Sequence, residues 1–129
     1  MKKEFDLTIE TDKSVDDAVA AIETKSQEAG FRVLHIHDVQ ATLAAKGFVR
    51  ELMKIVEICN AKFANAVLSV DPRISLMLPC PISVYAEEGH TTITALRTSA
   101  MVDYFPSPEV ETIALAVEEQ IIKIVESSR

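Results

Sequence analysis

Residues 81–97 read Pro81-Ile82-Ser83-Val84-Tyr85-Ala86-Glu87-Glu88-Gly89-His90-Thr91-Thr92-Ile93-Thr94-Ala95-Leu96-Arg97. Apolar and polar groups alternate on both sides of Glu88-Gly89-His90, the pattern of two strands around a hairpin tip. A tip there sets Glu88 opposite Thr91, Ala86 opposite Ile93, Val84 opposite Ala95 and Ile82 opposite Arg97. Residues 51–58, Glu-Leu-Met-Lys-Ile-Val-Glu-Ile, form a further strand with apolar groups on both faces, which suits a central or covered position. Paired antiparallel with 81–88, it places Glu57 opposite Ile82, Ile55 opposite Val84 and Met53 opposite Ala86. Met53, Ile55, Val84, Ala86, Ile93 and Ala95 then share one face, an agreement that a one-residue slip destroys. The same register sets Cys59 opposite Cys80, and directly opposed residues lie about 4.5–5.5 Å apart. The two cysteines are therefore expected to meet, with Glu57 and Arg97 beside them as an ion pair.

Outward from this unit the chain alternates strand and helix signals. Phe5, Leu7 and Ile9 alternate with polar neighbours, a half-buried strand. Ser14 is a good cap for a helix whose apolar face is Val15, Ala18, Val19, Ile22 and Ala29, and Gly30 stops it. Residues 31–38 read as a strand with Phe31, Val33, His35 and His37 on one face. A short helix over Gln40–Lys46 ends at Gly47. Asn60 caps a helix carrying Phe63, Ala64, Val67 and Leu68, and Asp71-Pro72 ends it. Residues 99–105 suggest a helical turn. Ser107-Pro108-Glu109 opens a long helix whose stripe is Val110, Ile113, Ala114, Val117, Ile121, Ile124 and Val125. The order is a strand, a helix, four strands with short helical insertions, and a long C-terminal helix. An α+β fold, mostly antiparallel with its helices on one face, satisfies it.

The 129 residues suit a single domain, 1–129, with 48% apolar residues against disorder. Thirteen Lys and Arg against twenty Asp and Glu give a net charge of −7, which speaks against a nucleic-acid partner. No stretch approaches the ~18 apolar residues of a membrane helix. Met1-Lys2-Lys3-Glu4-Phe5-Asp6 turns acidic before any apolar run and does not read as a signal peptide. A cytoplasmic location is the expectation. Leu52, Val56, Ile58, Tyr85 and Leu96 fall on the sheet face opposite the expected core. That apolar excess calls for a cover, and a homodimer supplies it.

Candidate chemistry centres on Cys59 and Cys80. Cys59 precedes the Asn60 helix start, where a helix dipole favours thiolate. Cys80 sits in Leu78-Pro79-Cys80-Pro81. The pair reads as redox-active, metal-binding or a carrier of sulfur species, or else as two small buried hydrophobes. His35 and His37 share a strand face and can reach one metal, but two histidines alone do not make a site. Glu57 and Arg97 read as an acid and an anion clamp beside the thiols, or as a structural ion pair. The chain has three glycines and no phosphate loop, and it has no serine nucleophile elbow.

Phe31-x-Val33-Leu34 through Val39-Gln40-Ala41-Thr42-Leu43 to Lys46-Gly47, then Glu57-Ile58-Cys59-Asn60, then Leu76-Met77-Leu78-Pro79-Cys80 resemble the domain-of-unknown-function family 302. The resemblance runs from the first strand to about residue 105. It implies a β-α-β4-α arrangement, a curved sheet gripping a long helix, similar to the TATA-binding-protein-like folds. It also implies a small protein that dimerises. It brings no activity and no cofactor. The family pattern maps onto Cys59, Asn60 and Cys80, and does not include His35 or His37. The resulting reading is a binding or sensing module rather than an enzyme. Its ligand is a small molecule, metal or sulfur species held by Cys59, Cys80, Asn60, Glu57 and Arg97. A thiol–disulfide redox module and an inert interaction domain are the alternatives.

Overall fold

The computed structural model describes residues 4–129. The leader reading of Met1-Lys2-Lys3 concerns residues outside that range. The strands are β1 (Asp6–Thr11), β2 (Arg32–Asp38), β3 (Met53–Cys59), β4 (Cys80–Glu87) and β5 (His90–Leu96). The helices are α1 (Val15–Glu28), α2 (Val39–Ala44), α3 (Ala61–Val70) and α4 (Pro108–Ser127). Two 3-10 segments, Pro72–Met77 and Thr98–Asp103, complete the order. The first of these was not foreseen. The five strands form one antiparallel sheet in the order β1-β5-β4-β3-β2. Among the described residues no helix is long and apolar enough to cross a membrane.

Local chemistry explains the boundaries. Ser14 Oγ accepts from Asp17 N at 3.1 Å and starts α1. Gly30, at φ 84°, ends it in a left-handed turn. There Gly30 N donates to Gln27 O and Phe31 N to Ser26 O, the paired bonds of a Schellman motif. This turn delivers Phe31 into the core, 4% exposed. Ser107 Oγ accepts from Val110 N, and Pro108 occupies the first turn of α4. Val15, Ala18, Val19 and Ile22 of α1 and Val117, Ile121, Ile124 and Val125 of α4 pack on one sheet face. A smaller cluster of Val67, Ile74, Met101 and Val110 joins α3 to α4 and the 3-10 segments.

Two registers differ from the expectation. The hairpin turns on two residues, Glu88 (φ 50°) and Gly89 (φ 83°), and closes with Glu87 opposite His90. Both central residues at positive φ give the turn whose twist matches the strands. Ala86 therefore faces Thr91, Val84 faces Ile93 and Ile82 faces Ala95. The shift is two residues, so each side chain keeps its face.

The second difference is one residue and inverts β3. Ile58 faces Cys80, Glu57 faces Pro81, Val56 faces Ile82 and Ile55 faces Ser83. Val56, Ile58, Ile82 and Val84 are fully buried, while Met53 and Ile55 lie half-exposed on the other face. Because β3 carries apolar groups on both faces, alternation alone does not choose between them. Packing does: the inward set is β-branched and fits between α1, α4 and the neighbouring strands. Leu52, Val56 and Ile58 consequently pack toward the core and leave the expected apolar far face, and the argument for a second copy loses three of its five residues. The actual outer face mixes Met53, Ile55, Tyr85 and Leu96 with His35, His37, Glu57, Ser83 and Thr94.

Candidate functional site

The one-residue shift also separates the cysteines. Cys80 stands opposite Ile58, and Cys59 stands opposite Arg32 across the sheet. The thiols are free and not close, so the expected pair does not form. Each nonetheless reaches the same internal space, from a different strand end.

That space lies at the β3–β4 end of the sheet, beneath α3 and beside α4. Asn60 builds its mouth. Its Oδ1 accepts from Lys62 N at 3.1 Å and Phe63 N at 3.3 Å, satisfying two donors that a helix start leaves open. Its Nδ2 donates to Gly30 O at 3.3 Å, which ties α3 to the turn after α1. Phe31, Cys59 and Cys80 form the sheet side of the cavity. Phe63, Ala64 and Val67 come from α3, Ile113, Ala114 and Val117 from α4, and Thr98 and Met101 from the second 3-10 segment. Thr98 Oγ1 is occupied, donating to Ala114 O at 2.6 Å. Among the described residues no carboxylate, amine, guanidinium or imidazole lines the cavity. The cavity is tight, with a free volume of about 20 Å³. That is room for about one water-sized group.

The electrostatics reverse the thiolate expectation. Burial pushes the Cys59 thiol up from its ordinary value. Burial, and then the charge of an ionised Cys59, pushes Cys80 up to about 12. Both thiols are thus neutral at physiological pH. A low-barrier nucleophile or a redox thiol requires the opposite shift.

Glu57 and Arg97 do not meet, and neither lines this cavity. Arg97 Nε donates to Asp6 O at 3.1 Å, and its guanidinium lies 3.4 Å from Glu4 and 3.7 Å from Glu118. Glu118 Oε1 in turn accepts from Ser99 N at 3.1 Å and Ser99 Oγ at 2.6 Å. Arg97 therefore fastens the β1–β5 end of the sheet to α4. Glu57 instead bonds His37 Nε2 through Oε1. His35 sits edge-on to His37, with ring centroids 4.4 Å apart. These three residues lie on the outer sheet face, away from the thiols. Among the described residues no three His, Cys, Asp or Glu side chains are placed to hold a metal ion, so the set Cys59, Cys80, His35 and His37 does not assemble.

Sequence reasoning missed Phe31, Phe63, Thr98 and Met101 as cavity walls. Phe63 was legible as part of the apolar face of α3, but nothing local shows that this face meets the strand ends. It also missed the His37–Glu57 contact, which a β2–β3 register would have shown, since His35 stands opposite Glu57 and His37 opposite Ile55.

The comparisons agree with this architecture. A family model described as "Domain of unknown function DUF302" matches residues 7–128. A crystal structure of an uncharacterised conserved DUF302 protein from Bacillus stearothermophilus superposes with a TM-score of 0.92. The two are 26% identical, over 98% of this chain and 100% of the other. No curated protein matches the chain. With the family model matching almost its full length, this chain belongs to the DUF302 family.

Proposed function

We propose that this chain is a binding module for a small, uncharged, apolar ligand seated between α3, α4 and the Cys59/Cys80 strand ends. The observation that carries this reading is the cavity itself: walls of Phe, Val, Ile and Met, two neutral thiols, and no ionised group. Such a lining repels charge, because an ion brought there without a partner is costly to desolvate. It accepts apolar surface, with thiols as soft, polarisable contacts. Its size admits one small group. A larger ligand enters only by lifting α3, and that displacement would signal occupancy to the rest of the molecule. Free thiols suit a reducing compartment such as the cytoplasm.

The experiment is a thiol titration of native protein with and without reductant, with metal analysis of the same sample. Two free thiols, no bound metal, slow labelling of Cys59 and none of Cys80 short of unfolding are expected. Saturating the solution with xenon, an apolar probe of suitable size, should slow Cys59 labelling further. Rapid labelling of either thiol at neutral pH would favour the redox reading. A bound metal that blocks labelling would favour the metal or sulfur-species reading. Either result would displace the neutral-cavity account.

A further inference from the structure

The outer sheet face carries a second concavity, which shares only Leu78 with the lining of the thiol cavity. It runs between α2 and the Leu78-Pro79 segment, with a volume of about 450 Å³. This is within the size range of small-molecule sites. Val39 and Leu43 of α2 form one wall, and Leu78 and Pro79 form the other. The floor is Ile55 with Glu57 and His37.

Among the described residues Glu57 is the one carboxylate of this lining. Its side chain is 27% exposed, so its charge is partly desolvated. Oε1 is engaged by His37, and among the described residues Oε2 has no protein hydrogen bond. A carboxylate oxygen only accepts. The groove therefore presents an unfilled anionic acceptor between apolar walls. An anionic ligand gains little here.

We propose that this groove binds a small organic cation, an amine with an apolar body. Its ammonium donates to Glu57 Oε2, and its body lies between Val39 and Leu43 on one side and Leu78 and Pro79 on the other. The head group finds a charge-assisted bond in partly dry surroundings, and the body covers apolar walls that water otherwise wets.

Benzylamine, benzyl alcohol and benzoate share one ring and differ in charge. Each is titrated into ¹⁵N-labelled protein while amide resonances are followed. Benzylamine is expected to shift the amides of α2 and of residues 55–57 saturably. Benzyl alcohol should bind about tenfold more weakly, the value of one such ion pair at about 1.4 kcal/mol, and benzoate more weakly still. Glu57→Gln keeps the side-chain shape and an acceptor for His37, and should weaken benzylamine about tenfold with the rest of the spectrum unchanged. Raised salt should weaken the wild-type interaction and not the variant's. Benzoate binding as tightly as benzylamine would overturn the proposal. So would shifts confined to α3 and α4, an unaffected Glu57→Gln variant, or no saturable shift up to the solubility limit. Apart from Leu78, xenon at the thiol cavity reports on a different set of residues, so the two readings fail separately.

Discussion

Alkali should destabilise this protein through Cys80. The thiol opens β4, 5% exposed, and burial first, then an ionised Cys59, pushes it up to about 12. An unfolded cysteine titrates near 8.5. Between those values the folded chain keeps a proton that the unfolded chain releases. Stability from this group is thus fully present below about pH 8.5 and is lost as pH rises toward 12. One proton is worth about 1.4 kcal/mol per pH unit, so going from pH 7 to pH 10 removes about 2 kcal/mol through Cys80 alone. That is a large part of the roughly 5–15 kcal/mol that holds a domain of this size folded. Cys80→Ala abolishes the titration and costs about 1 kcal/mol at pH 7 through lost packing. Urea unfolding of both proteins in reductant, at pH 7 and pH 10, gives the comparison. Every other titrating group except Cys59, which interacts with Cys80, is common to the two and cancels in the difference. Wild type should lose about 2 kcal/mol more than the variant, so that the order of stability reverses at pH 10. Equal losses would refute the claim that burial keeps this thiol protonated.

Three further outcomes follow from named contacts. Ile58→Ala should cost about 2–5 kcal/mol in denaturant unfolding, and Ile55→Ala under about 1, because Ile58 faces the core and Ile55 the outer surface. The reverse order would restore the alternative β3 register. Asn60→Ala should cost about 1 kcal/mol through the lost α3 cap, and should speed native labelling of Cys59 as the cavity mouth loosens. Asn60→Asp, which keeps the acceptor, should recover most of the stability. Glu88→Asn should raise stability by about 0.5 kcal/mol, because Asn accepts the φ of 50° at the first turn position better than Glu does. Thermal unfolding would show it, and a loss would mean the Glu88 side chain matters to the turn.

The fold was largely legible because its elements are marked by short-range chemistry. Ser14, Asn60 and Ser107 all cap helices with their side chains, and Gly30 and Gly89 stand where the backbone needs positive φ. Register was less legible for two physical reasons. The hairpin turned one residue earlier than read, which moved partners by two but preserved faces. In β3 the sequence Met53-Lys54-Ile55-Val56-Glu57-Ile58 offers apolar groups to both sides, so parity was decided by contacts with distant α1 and α4. That single inversion carried the site errors with it: the cysteine pair, the Glu57–Arg97 bridge and the size of the apolar outer face. The position of the candidate cavity was reachable from Cys59, Asn60 and Cys80 alone. Its neutral character was not, because it depends on Phe31, Phe63 and Met101, which close over the thiols from three other parts of the chain.

The central claim is that a neutral, apolar cavity beneath α3 is this protein's ligand seat. Crystals of the protein held under xenon pressure test it most directly. The account predicts a xenon peak in contact with Cys59, Cys80, Val67 and Met101, with α3 shifted outward relative to xenon-free crystals. A cavity that stays empty, or xenon bound only on the outer sheet face, would contradict it.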